Sequence, residues 1–193
     1  MEEAAIGKDR IIEILKETNN LDPQSDLYKE FVAELLLRIN PYKPFGTPLY
    51  NAIARLSWNQ FFEAVALRRG SSGEIEVYLR KRADDDTAYP GEWHVPGSVF
   101  WPGESERMVA NRVSCEFGVS IRGFTYIDKY VDWEKGEARG SGASWIYLVH
   151  FDGEPRIDER HQWFPVEKLP EVTVESHRIG IIPKAISVFK QLP

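Results

Sequence analysis

The sequence predicts an α+β domain carrying an N-terminal helical extension, and three observations predict it. Apolar residues recur at helical spacing over 8–39, alternate as strands do on both sides of one central helix, and return in a closing helical run over 180–192.

In the extension, Ile11, Ile12 and Leu15 make one apolar stripe and Phe31, Val32, Leu35 and Leu36 another, with Asp22-Pro23 separating two helices. Pro41, Pro44, Gly46 and Pro48 crowd the next segment, which reads as a linker. The expected division is an extension with linker over 1–50 and a domain over 51–193. Residues 56–67 and 76–82 alternate as strands, joined into a hairpin by Gly70-Ser71-Ser72-Gly73. Further strands are expected over 125–133 and 144–151, with a glycine-rich connection over 136–142.

The chain has 193 residues, of which 42% are hydrophobic, enough for one real core. Cys115 is the only cysteine, so no intrachain disulfide forms and a reduced, cytoplasmic setting is the simplest expectation. The acidic start lacks the order of a secretion signal, and no apolar run approaches the roughly 20 residues that span a bilayer. No membrane partner is expected. A net charge of −6 argues against general nucleic-acid binding. A small anionic ligand would need a local arginine cluster or a divalent cation.

The segment 93–119 carries the chemistry. Pro96-Gly97-Ser98 forms a glycine turn suited to close backbone approach; Glu104-Ser105 opens a helix and Gly118 closes it. This segment resembles the Nudix box, a glycine, five residues, a glutamate, seven residues, then Arg-Glu-apolar-x-Glu-Glu-x-Gly-apolar. Ser98 falls on the opening glycine, Glu104 on the first glutamate and Arg112 on the arginine. The strand 77–82, the approach 91–97 and the segment 163–170 are similar to the flanks of that box, so the resemblance covers about residues 58–190. It implies a Nudix-type α/β/α sandwich with a mixed sheet, acting on a small nucleoside diphosphate derivative.

The box normally carries carboxylates three and four residues apart on one helix face, which hold Mg²⁺ or Mn²⁺ against a pyrophosphate. Here the stretch from Arg112 to Gly118 is one residue short. Anchored at Arg112, the ligand positions hold Val113, Glu116 and Phe117; anchored at Gly118, they hold Arg112, Cys115 and Glu116. Only Glu116 survives in either register. The ending Glu116-Phe117-Gly118 is similar to that of the GDP-mannose mannosyl hydrolase branch, which implies a single Mg²⁺ or Mn²⁺ bound by Glu116, the Gly97 carbonyl and Gln162, with His161 as base. Glu104 is a further metal candidate and Glu159 a competing base or ligand. Arg80, Arg82, Trp93 and Arg112 are the candidates for substrate binding, since strand arginines two apart share a face.

Plainer readings stand beside these. Arg112 and Glu116, four apart, can pair on a helix surface; Cys115 reads as a packed thiol and Asp84-Asp85-Asp86 as a solvated run, while His94 and His177 suit either a ligand contact or a satisfied core histidine. The N-terminal helices suit a homodimer arm, a lid or a support for a sheet edge. Two functions follow: a divalent-metal-dependent hydrolase, a nucleotide sugar being the best single substrate, or a Nudix-like module that binds a nucleotide or a protein without hydrolysis.

Overall fold

Period-two alternation sends the strand side chains to two opposite cores, and that alternation decides which residues can meet at the site. The computed structural model describes Glu13, Asp22 and residues 24–40, 46–54, 57–132 and 142–192. Apart from Glu13, the expected first helix lies outside the described residues, as does nearly all of the 136–142 connection.

The chain divides into two compact units, Met1–Pro44 and Phe45–Pro193. In the first, α1 (Asp26–Leu37) is capped by Ser25, whose hydroxyl accepts from the Tyr28 N–H. None of its residues is buried, and Leu27, Phe31, Leu35 and Leu37 are exposed.

The second unit begins with α2 (Thr47–Ala54), where the sequence suggested linker. Pro48 is tolerated because it stands in the first turn, where an N–H has no intrahelical partner in any case. The strands are β1 (Asn59–Val65), β2 (Leu67–Arg69), β3 (Ile75–Lys81), β4 (Trp93–His94), β5 (Gly97–Val99), β6 (Ile121–Asp132), β7 (Gly142–Phe151) and β8 (His161–Pro165). One mixed sheet runs β5-β1-β7-β6, with β1 parallel to β7 and the outer pairs antiparallel. In the other sheet β3 pairs with β2, β4 and β8, all antiparallel. The expected turn forms, with Gly73 at φ 86°, but it joins β3 to the short β2; most of the strand expected over 56–67 is β1, in the other sheet.

Helix α3 (Glu106–Phe117) runs as the start and stop signals required. Ser105 caps it, and Gly118 closes it in the left-handed region at φ 69°. Its Val109, Ala110, Val113 and Phe117 pack with Phe62, Ala64, Tyr78 and Tyr147. On the opposite side, Val65, Val77, Leu79 and Ile146 pack with Ile181, Ile182 and Ala185. Those last residues come from one π-helical turn (His177–Ile181) continuing into α4 (Ile182–Phe189). Two sheets between two helical layers give the α/β/α sandwich. Among the described residues no helix is long and apolar enough to cross a membrane.

Candidate active site

Strand β3 builds the site. Tyr78 faces the α3 core while Val77 and Leu79 face the α4 core, so Arg80 emerges on the α3 side. There the Arg80 Nη1 lies 3.1 Å from Glu116 Oε2, at the C-terminal end of α3. Burial pushes the Glu116 carboxyl up, opposed first by Arg80 and then by Arg82 and His161. The ion pair leaves Oε2 without a well-aligned hydrogen-bond donor, and Arg80 Nε, Arg82 Nε and His94 Nε2 are also buried without partners. Arg82, two residues on along the same face, holds Asp86 at 3.0 Å and lies over the Tyr89 ring.

Strand β8 adds a histidine. His161 stands opposite Arg80 in the β3–β8 register, hence on the same face. Its Nδ1 lies 2.6 Å from Asp158 Oδ1. That carboxylate also accepts the Arg160 N–H at 2.8 Å, so a tight turn holds it in place. The hydrogen bond from His161, then that from Arg160, keeps the Asp158 carboxyl below its usual range. An ionised carboxylate only accepts, so Nδ1 carries a proton and in the neutral ring Nε2 is the acceptor.

Several expected site residues are placed elsewhere. Gln162 lies opposite Leu79 and so faces the α4 core, away from Glu116. Trp93 is buried edge-on against Phe164, with ring centres 4.8 Å apart, which makes it core and not a base platform. Glu159 is exposed on the turn before β8. Gly97, whose carbonyl was the expected ligand, lies in β5 where no side chain fits: a Cβ there would meet Glu63 Oε2 at 2.6 Å and the Phe62 carbonyl oxygen at 2.7 Å. Cys115 is exposed, where a packed thiol was expected.

Arg112 and Glu104 hold each other. Nη2 and Nε of Arg112 meet the two oxygens of Glu104 at 2.6 and 3.2 Å. Arg112 also donates to Ser98 Oγ and to the Val99 carbonyl, and its guanidinium lies 4.3 Å from the centre of the Trp101 ring. Glu104 Oε2 accepts the Trp101 N–H at 2.8 Å. With the two charges meeting each other, the pair ties the loop 98–105 to α3. The helical Arg112–Glu116 pair is correspondingly not made, each residue having turned to a partner elsewhere.

These donors do not fit a divalent ion. Glu116 is already paired with Arg80, Arg82 adds positive charge, and Gln162 and Glu104 are directed elsewhere. Among the described residues no group of three or more His, Cys, Asp or Glu converges. The face instead gathers the Arg80 and Arg82 guanidinium groups and the His161 imidazole around the Glu116 carboxylate. Sequence reasoning passed over Asp158, although its place three residues before His161 was a readable signal.

The architecture is that of Nudix hydrolases. A MutT Nudix hydrolase from Burkholderia pseudomallei is similar with a TM-score of 0.52 and 26% identity, over 65% of this chain and 97% of that one. The Nudix domain of Shewanella oneidensis NrtR, solved with ADP-ribose, is similar with a TM-score of 0.54 and 16% identity, over 81% of this chain and 97% of that one. An Ap4A hydrolase from C. elegans is similar with a TM-score of 0.51 and 17% identity, over 69% and 99%. No family model matches the sequence, and no curated protein does. The chain thus has the Nudix fold, with neighbours that include hydrolases of nucleotide derivatives and a domain bound to one.

Proposed function

We propose that this protein binds a nucleoside diphosphate linked to a second group, a nucleotide sugar by preference, and hydrolyses it with the Asp158–His161 pair. Arg80 and Arg82 take the diphosphate. The observation that carries this reading is the set of buried atoms without a hydrogen-bond partner, Arg80 Nε, Arg82 Nε and His94 Nε2, gathered beside the Arg80–Glu116 ion pair. Buried polar groups normally find partners, and two guanidinium groups with spare donors match phosphate oxygens.

Asp158 holds the Nδ1–H of His161, so Nε2 can take a proton from water. The resulting hydroxide forms a C–O bond at the sugar carbon that bears the diphosphate. The C–O bond to the diphosphate breaks, and its electron pair leaves with the phosphate oxygen. The new charge appears where Arg80 and Arg82 stand, while hydroxide approaches a neutral carbon instead of an anionic phosphorus. Such a cleavage demands less cationic charge than attack on phosphorus, which suits a site with a poor donor set for Mg²⁺ or Mn²⁺.

The test is a panel of ADP-ribose, UDP-glucose and GDP-mannose, each with Mg²⁺ and with chelator, followed by product analysis. Release of nucleoside diphosphate is expected, with kcat falling about 10²- to 10⁴-fold in His161→Asn. Full turnover by that variant removes His161 from the chemistry. A second reading, a binding module without hydrolysis, is favoured by the Arg80–Glu116 pair, which engages the one carboxylate left at the expected ligand positions. Binding of these compounds in chelator with no product from any of them selects it.

A further inference from the structure

We infer that His94 reads a hydroxyl of the sugar attached to the diphosphate, accepting its hydrogen bond at Nε2; this rests on the assignment of Arg80 and Arg82 to the diphosphate. His94 is 4% exposed. Its Nδ1 lies 2.8 Å from the Val95 carbonyl oxygen, and since a carbonyl only accepts, the ring proton sits on Nδ1. Nε2 is therefore a bare lone pair. No partner meets it among the described residues.

The ring is also held in place. The Val95 N–H donates to His177 Nδ1 at 3.0 Å, and the two imidazoles meet edge-on with centres 6.2 Å apart. Val95 is thus fastened from both sides, so its carbonyl fixes the direction of the His94 ring. Burial, then the charge of Arg82, keeps His94 neutral well below the usual histidine range.

A neutral acceptor repels phosphate oxygen and suits a donor. An acceptor buried without one carries an unmet desolvation cost, which a ligand hydroxyl removes on arrival. Position selects the hydroxyl. His94 stands opposite Arg80 in the β3–β4 register, so whatever meets its ring lies beside the diphosphate. In a nucleotide sugar the groups flanking the diphosphate are sugars; the base amino groups lie one sugar further away.

The experiment measures calorimetric affinities of the full chain for ADP against 2′-deoxy-ADP and for ADP-ribose against ADP. In the wild type the member richer in hydroxyls is favoured about tenfold in at least one pair. His94→Asn keeps a donor for the Val95 carbonyl but leaves nothing at the Nε2 position, and is expected to erase that preference. His94→Gln restores an acceptor there and part of the preference. A ratio unchanged in His94→Asn, or both members weakened equally, overturns the inference. If none of the three compounds binds the wild type, the diphosphate assignment itself fails. Should His94→Asn not fold, ¹⁵N NMR of the wild-type ring decides: the Nε2 resonance moves with the favoured ligand and stays with its deoxy or truncated partner, and equal shifts with both overturn the inference.

Discussion

Arg112→Ala separates a structural clamp from a ligand contact. The substitution removes the bidentate bond to Glu104, the bonds to Ser98 Oγ and the Val99 carbonyl, and the cation held over Trp101. Glu104, with a side chain only 10% exposed, keeps a single donor, the Trp101 N–H. Removing one member of a buried pair costs about 3–5 kcal/mol because the other charge stays behind. Arg112 is 26% exposed, which places the pair at the low end, and the lost cation–π contact adds about 0.5–1 kcal/mol. The expected loss is about 3–4 kcal/mol, read as a shifted midpoint in urea, or a melting temperature lower by roughly 10 °C. Adding Glu104→Gln removes the stranded charge, so the double variant is expected to be more stable than the sum of the singles by at least about 1 kcal/mol. A loss under about 1 kcal/mol for Arg112→Ala refutes the clamp. If such a variant stays stable and binds ADP more weakly, Arg112 is a substrate contact, as the sequence had suggested.

Other substitutions test the rest of the site. Arg80→Ala is expected to weaken ADP at least about tenfold, whereas Glu116→Gln, by releasing Arg80 from a carboxylate, is expected to hold or tighten ADP binding in chelator; a loss in Glu116→Gln that Mg²⁺ in the wild type accounts for contradicts the guanidinium site. Gly97→Ala is expected to destabilise by about 1–3 kcal/mol, since its Cβ would press on Glu63 and on the Phe62 backbone, and unchanged urea unfolding argues against that contact. Burial, with Arg82 second, lowers the His177 pKa to about 3 from an ordinary 6.5. The unfolded chain therefore binds the extra proton between those values, and stability is complete above pH 6.5 and falls as pH drops below it. By pH 5 His177 alone is expected to cost about 2 kcal/mol. Glu116, with its raised carboxyl, works in the opposite sense nearer pH 4.5. His177→Asn should flatten the slope in urea unfolding measured from pH 7 to 5; an unaltered slope rejects the assignment.

The elements were legible because they rest on local rules. The cap at Ser105, the left-handed closure at Gly118 and the β2–β3 turn at Gly73 follow from residue type at a position, and each forms where the pattern placed it. Local rules erred at α2, where Pro48 read as linker but occupies a helical first turn. They erred again at Cys115, because burial depends on what packs over a helix and not on the helix's own composition.

The sequence by itself determined the α+β order, the resemblance to the Nudix box and the survival of one carboxylate at the helix's ligand positions, Glu116, since these are matters of residue type and spacing. Only the tertiary structure decided what that carboxylate meets. Strand register turns Arg80 and His161 toward Glu116 and Gln162 away from it, and a shift of one residue would have reversed this. The bond between Arg112 and Glu104 likewise spans a loop whose path no periodicity records. Partners distant in sequence are set by packing and pairing, so the deficit of acids was visible in the chain, and the arginine now beside Glu116 was visible only in the fold.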